Sequence, residues 1–167
     1  MTLEQKVASV FHLNGEIWMR HANPKSVWSR FTVLPLLIIA SWSRVLLGWW
    51  ALIPIALAVV WMFLNPIAFP KAMSTNNWAS KGVLGERVWA NRNNIPVPEH
   101  HRRVPNVLNS LAAVGMILVI WGVVAFSIWP TMTGTVIGVA FKIWYVDRMV
   151  WLYEDMKHLP EYGKWLY

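Results

Sequence analysis

The chain has 167 residues, of which 56% are hydrophobic and 14% charged, with 13 tryptophans and a net charge of +7. A soluble domain of this size keeps much of its surface in water and carries roughly 25% charged residues, so the composition excludes an ordinary soluble domain and points to an integral membrane protein. The sequence has no cysteine, which excludes disulfide scaffolds, thiolate metal sites and thiol nucleophiles.

Residues 1–22 carry Glu4, Lys6, His12, Glu16 and Arg20 and lack the apolar core of a cleavable signal. Over 2–22, Val7, Phe11 and Trp18 fall on one helical face, and His12, Glu16 and Arg20 line the other at i, i+4 spacing. This pattern predicts an amphipathic helix on the membrane surface. Asn23-Pro24 reads as a helix N-cap followed by proline at the first helical position.

Four apolar segments follow, in two pairs. The first runs from about Val27 to Trp42 and the second from about Leu46 to Leu64. A helical span needs about 20 residues. Arg30 and Arg44 bracket thirteen in the first segment, so a short span and a re-entrant hairpin both fit, with the span preferred. Pro35 and Pro54 are expected to kink these helices, and Asn65-Pro66 to close the second. The central connection, 66–106, contains a second amphipathic stretch over 76–92, with Trp78, Gly82, Gly85 and Trp89 on one stripe. The proline-punctuated loop NNIPVPEHHRRVP (93–105) follows.

The third segment runs from about Val107 to Trp129, where Pro130 ends it, and the fourth from about Thr131 to Val150. They form a tight hairpin whose last helix continues to about residue 158. Gly134 and Gly138 have the GxxxG spacing that lets helix backbones approach. In a small bundle, internal packing is the preferred reading over a dimer face. The expected architecture is an all-α integral membrane four-helix bundle, a single domain over 1–167 with hairpins at 27–64 and 107–158 and two amphipathic surface helices. Lys and Arg cluster in the N-terminal arm, the central connection and the C-terminal end, while the hairpin tips carry only Arg44. The positive-inside bias puts both termini and the connection in the cytoplasm, with the chain multi-pass in the inner (cytoplasmic) membrane.

The stretch DRMVWLYEDM (147–156) places four charges directly after an apolar segment. Asp147 and Arg148 sit at the membrane boundary, where charges need partners inside the fold. Arg30, Glu86, Arg87, Arg102 and Arg103 are the candidates. Asp147 and Glu154 lie about 10 Å apart along a helix, too far to hold one ion together. Lys142 is an ionisable residue well inside a span, either snorkelling to the surface or acting as a counter-charge for an anionic ligand. Arg87, His100, His101, Arg102, Lys142, Asp147, Arg148, Glu154 and Asp155 therefore form the expected ligand-binding set. Arginine and histidine would hold an anionic head group, and the carboxylates would orient them or exchange protons.

The five histidines lie outside the spans, which disfavours a membrane haem site. Glu86, His100, His101, Glu154 and His158 could supply nitrogen and oxygen ligands to a metal, though EHH at 99–101 has no recognised ligand spacing. No cofactor is identified. Phosphate loops, nucleophile elbows, zinc-protease motifs and dinucleotide fingerprints are absent from the sequence. Membrane flanks account for the basic and tryptophan residues without nucleic acid.

RHANPKSVW (20–28), WASKGVLGERVW (78–89) and DRMVWLYEDM resemble segments of a family of short bacterial and archaeal membrane proteins of unknown function. The resemblance covers most of the chain and implies the four-span fold, but no activity, ligand or catalytic residue. The expected function is binding or processing of a lipid or other anionic amphiphile at a cytoplasm-facing polar site. The alternatives are a non-catalytic subunit of a larger membrane complex and a metal-dependent membrane enzyme. Membrane lipids are the expected partners, together with such a complex or a second copy of the chain.

Overall fold

The computed structural model describes Val10 and residues 15–167, and every regular element among them is helical. The first expected surface helix is described from Gly15 onward as α1 (Gly15–His21). Val7, Phe11, His12 and Asn14 lie outside the described residues.

α2 (Pro24–Arg30) starts as the sequence predicts. The Asn23 side chain accepts a hydrogen bond from the Lys25 amide at 2.9 Å, with Pro24 in the first turn. This satisfies one of the amides that a helix start leaves unpaired. α3 (Val33–Trp42), the short α4 (Arg44–Leu47) and a 3₁₀ turn (Gly48–Ala51) lead into α5 (Leu52–Ala68). Gly48 turns the chain with a φ of 53°, a conformation glycine adopts without a Cβ clash.

Pro35 and Pro54 do not kink long helices. Each is the third residue of its helix, in α3 and α5, where no intrahelical bond needs its missing N–H. The breaks fall just ahead of them, at Phe31-Thr32 and at Gly48–Ala51. Pro130 behaves alike: the helix before it ends at Val124, and Pro130 is third in the next one. Pro66 lies inside α5, which continues to Ala68. Beside it, Asn65 is fully buried. It accepts from Ser26 Oγ at 2.9 Å and donates to Ser29 Oγ at 2.7 Å, tying the end of α5 to α2. A buried amide left without such partners would cost about 1–3 kcal/mol.

α6 (Trp78–Ala90) precedes a 3₁₀ turn (Glu99–His101), α7 (Val104–Val124), α8 (Ile128–Met156) and the short α9 (Pro160–Gly163). α7 and α8 form the second hairpin, joined by three residues. Glycines allow this contact. A Cβ on Gly115 would lie 2.5 Å from the Gly138 nitrogen and 2.8 Å from the Gly134 carbonyl. The GxxxG pair is thus used inside the chain.

The stripe of α6 bearing Gly82 and Gly85 packs on α8 rather than facing outward. A Cβ on Gly85 would overlap the Met149 carbonyl, and one on Gly82 would press on the Val146 side chain. Around this contact lies the core: Leu84, Val88 and Trp89 of α6, Met149, Leu152 and Tyr153 of α8, and Tyr162 of α9 are all buried. α8 has 29 residues, about 43 Å. Its first half pairs with α7 and its second half with α6.

At the other end, Arg44 joins the hairpin tips. Its guanidinium donates to the carbonyls of Val123 at 2.5 Å and Val124 at 3.0 Å and lies 3.9 Å from the Phe126 ring centroid. It therefore caps the C-terminus of α7, where unpaired carbonyls and the helix dipole favour a cation. Large apolar side chains cover the outside of this end, with Leu46 and Trp49 89% and 87% exposed. Among the described residues, two helical stretches are long and apolar enough to cross a membrane: Pro24–Ala68, which holds both arms of the first hairpin, and Glu99–Val124, which holds α7.

Candidate functional site

Below the tips, α3 and α7 touch little. A cavity of about 430 Å³ opens there, bounded by α2, α3, α6, α7 and α8. Its volume falls in the range of small-molecule sites. Leu34, Met116 and Val139 supply apolar walls, and the small Ala112, Ala113 and Gly138 leave the room. Arg30, Glu86 and Lys142 are its charged lining residues.

Lys142 donates from Nζ to Glu86 Oε1 at 2.8 Å and sits 4.4 Å from the Tyr145 ring centroid. The lysine expected from sequence to lie inside a span thus has a carboxylate partner, supplied by α6. Glu86 is one residue beyond Gly85, so the close helix contact brings its side chain to α8. It also acts electrostatically on Arg30. Two cations against one carboxylate leave one net positive charge in an otherwise apolar space. Arg30 is further positioned by His21, to whose ring and carbonyl its guanidinium donates. This bonding needs a lone pair on the imidazole. Burial, then the nearby positive charges of Arg30 and Lys142, push the His21 pKa well below its ordinary value.

The other residues singled out from sequence fall into separate places. Asp147 accepts from the Trp78 indole at 2.9 Å, and Trp78 stacks on Trp28 with centroids 5.7 Å apart. Its partner is therefore an indole on α6, not one of the arginines expected. Arg148 lies 5.8 Å from the Trp151 ring centroid, and its buried Nε has no hydrogen-bond partner among the described residues. Arg87 stacks over Trp165 at 4.0 Å; burial lowers its pKa, opposed by Glu161. Arg102 lines a separate cavity of about 260 Å³ beside Trp89 and Asn106. Glu154 pairs with Lys81 at 2.6 Å and with Lys157; hydrogen bonds from Lys157 and then Lys81 hold its carboxyl below the usual range.

His100 and His101 come together with Asp155. Their Nε2 atoms lie 3.0 and 2.8 Å from the same Asp155 Oδ2. His101 is 1% exposed, and its Nδ1 has no partner among the described residues. Burial lowers the His101 pKa, against the raising effect of its Asp155 bond. Hydrogen bonds from His101, then His100, hold the Asp155 carboxyl low. Of the five possible metal ligands read from sequence, only His100 and His101 are neighbours: Glu86 is at the cavity, Glu154 is in its lysine pair and His158 is exposed.

Sequence reasoning missed Arg30 as a cavity residue; it put Asp155 in the same ligand-binding set as His100 and His101 but did not foresee that the three meet at one carboxylate oxygen. The bracketing of the first apolar segment by arginine marks Arg30. No local pattern marks a pairing over 54 residues.

No curated protein and no solved structure matches the chain. A family model described as "Family of unknown function (DUF6653)" matches residues 2–163. The chain belongs to that family.

Proposed function

We propose that this protein is integral to the cytoplasmic membrane, with both hairpins inserted and both termini cytoplasmic, and that it binds an anionic amphiphile. The apolar tail lies in the cavity, and the head group meets Arg30 and Lys142. The observation that carries the reading is the cavity itself: apolar walls, with two cations and one carboxylate at one side.

Several features support insertion. The helical stretches Pro24–Ala68 and Glu99–Val124 have the length and composition of spans. α8 pairs with α7 and presents Ile128, Met132, Val136 and Trp144 outward, so it shares the same apolar setting. The α2–α3 run from Pro24 to Trp42 covers 19 residues, about 28 Å if helical throughout, close to the roughly 30 Å hydrocarbon core. Lys142 lies 14 residues after Ile128, about 21 Å along α8. In the proposed orientation that depth lies beyond the bilayer midplane, toward the cytoplasmic face, where a lipid head group can reach it.

The test is native mass spectrometry of protein incubated with mixed micelles of phosphatidylglycerol and phosphatidylcholine. Phosphatidylglycerol should be retained at about tenfold preference, roughly 1.4 kcal/mol, and Lys142→Met should abolish the preference. Equal retention of the two lipids, or a preference that survives Lys142→Met, overturns the reading. A stoichiometric protein partner with no retained lipid would instead favour an accessory subunit.

A further inference from the structure

We propose that His100, His101 and Asp155 form a binding site for a divalent transition-metal ion, with zinc the best-matched. One donor atom from each residue, an imidazole nitrogen of either histidine and a carboxylate oxygen, lies within 4.8 Å of the other two. Asp155 Oδ2 stands 3.0 and 2.8 Å from the two nitrogens. Around tetrahedral zinc, with bonds of about 2.0–2.2 Å, neighbouring donors lie about 3.3 Å apart. Small side-chain movements, without a change of fold, bring all three to one ion.

The backbone already holds this arrangement. His100 and His101 share a 3₁₀ turn closed by the His101 amide on the Pro98 carbonyl at 3.0 Å and the Arg102 amide on the Glu99 carbonyl at 3.1 Å. Val97 and Leu108, on either side of the turn, are buried in the core. Asp155 comes from the last turn of α8, whose neighbours Leu152 and Met156 are buried in the same core. Two rigid elements therefore present the donors to each other. His101 forms the inner wall, while the side chains of His100 and Asp155 are 64% and 43% exposed, so an ion enters from solvent. Three ligands leave a fourth position for water or an anion.

The donor set narrows the ion. Two imidazoles and one carboxylate suit zinc and its neighbours, whereas calcium and magnesium favour all-oxygen cages. One carboxylate offsets part of the ion's charge, and the positive charge of Arg148 is also felt at His101. An anionic fourth ligand is accordingly favoured. The site is separate from the cavity at Arg30 and Lys142 and stands whether or not that cavity takes an amphiphile.

The experiment uses tag-free, chelator-treated full-length protein titrated with Zn²⁺ by calorimetry and with Co²⁺ by visible absorption. One ion per chain is expected, with a tetrahedral cobalt band. His100→Ala and Asp155→Asn should each weaken binding by about tenfold or more, since changes to outer-shell partners alone cost that much. His158→Ala, at an exposed histidine outside the trio, should bind as the parent does. Substoichiometric zinc, or parent-like affinity in both His100→Ala and Asp155→Asn, overturns the proposal and leaves the trio a hydrogen-bonded clamp between α8 and the turn.

Discussion

Glu86 on α6 and Lys142 on α8 meet at 2.8 Å on the wall of the cavity, 56 residues apart in sequence. The pair gives the amphiphile reading a test by sign. Removing the acid with Glu86→Gln strips one negative charge from a cluster that also holds Arg30, so affinity for phosphatidylglycerol should rise. Removing the base with Lys142→Met should lower it by about tenfold, the ~1.5 kcal/mol of one charge-assisted hydrogen bond. A lipid-binding titration of the two variants checks this. A structural ion pair alone would move both in the same direction, through stability.

The glycines of the α7–α8 contact are not equivalent. A Cβ on Gly134 would lie 2.6 Å from backbone atoms of Gly115 and Val119, whereas one on Gly138 meets nothing nearer than the Ala112 carbonyl at 3.8 Å. Gly134→Ala should therefore lower thermal stability in detergent by about 2 kcal/mol or more, while Gly138→Ala should be neutral or raise it by up to about 1 kcal/mol through helix propensity. If the GxxxG pair instead mediated a dimer, Gly138→Ala would change the oligomeric state seen by native mass spectrometry.

Local signals in the sequence carry much of this fold. The Asn23 cap, the second hairpin and the glycine–tryptophan stripe of α6 all rest on residues close in sequence, where spacing decides the outcome. The stripe shows that α6 has one special face. Its partner, α8, lies about 60 residues on and cannot be read from period alone. Lys142 stands out because a charge within an apolar helix needs an explanation. Glu86, which answers it, sits in a connection whose position relative to α8 depends on Gly85 meeting Met149. Pro35 and Pro54 mislead because a helix start and a mid-helix kink share the same composition, and the chain relieves the strain by breaking just before each ring. Asp147 reads as an ion-pair candidate, yet an indole N–H satisfies it equally well as a donor.

Arg44 has a structural task at the hairpin tips. Its two hydrogen bonds to the Val123 and Val124 carbonyls and its position over Phe126 offset two local costs. One is the set of last carbonyls of α7, which the helix leaves without intrahelical partners. The other is the φ of 52° at Phe126, which for a residue other than glycine costs about 1–2 kcal/mol. Arg44→Ala should reduce stability by about 1–2 kcal/mol, and Arg44→Lys should recover only part of it, because an ammonium lacks the planar fork. Thermal unfolding of the three proteins in one detergent measures this, with lipid retention unchanged because Arg44 is remote from the cavity charges.

Acid should destabilise the cavity wall through His21. Its imidazole is buried, accepts from Arg30 and feels the charge of both Arg30 and Lys142, so its folded pKa lies well below 6.5. The unfolded chain, with an ordinary histidine pKa of about 6.5, then binds more protons than the folded one at mildly acidic pH. The sign follows from linkage: the His21 contribution is fully present above about pH 6.5 and is lost progressively as pH falls below it, toward the depressed folded pKa. Unfolding midpoints measured from pH 7.5 down to 5 should decline more steeply in the parent protein than in His21→Gln. The amide can still accept from Arg30 through its oxygen but does not titrate. Parallel pH profiles for the two proteins would show that His21 takes up its proton without cost in the folded state, and would remove its role in holding Arg30.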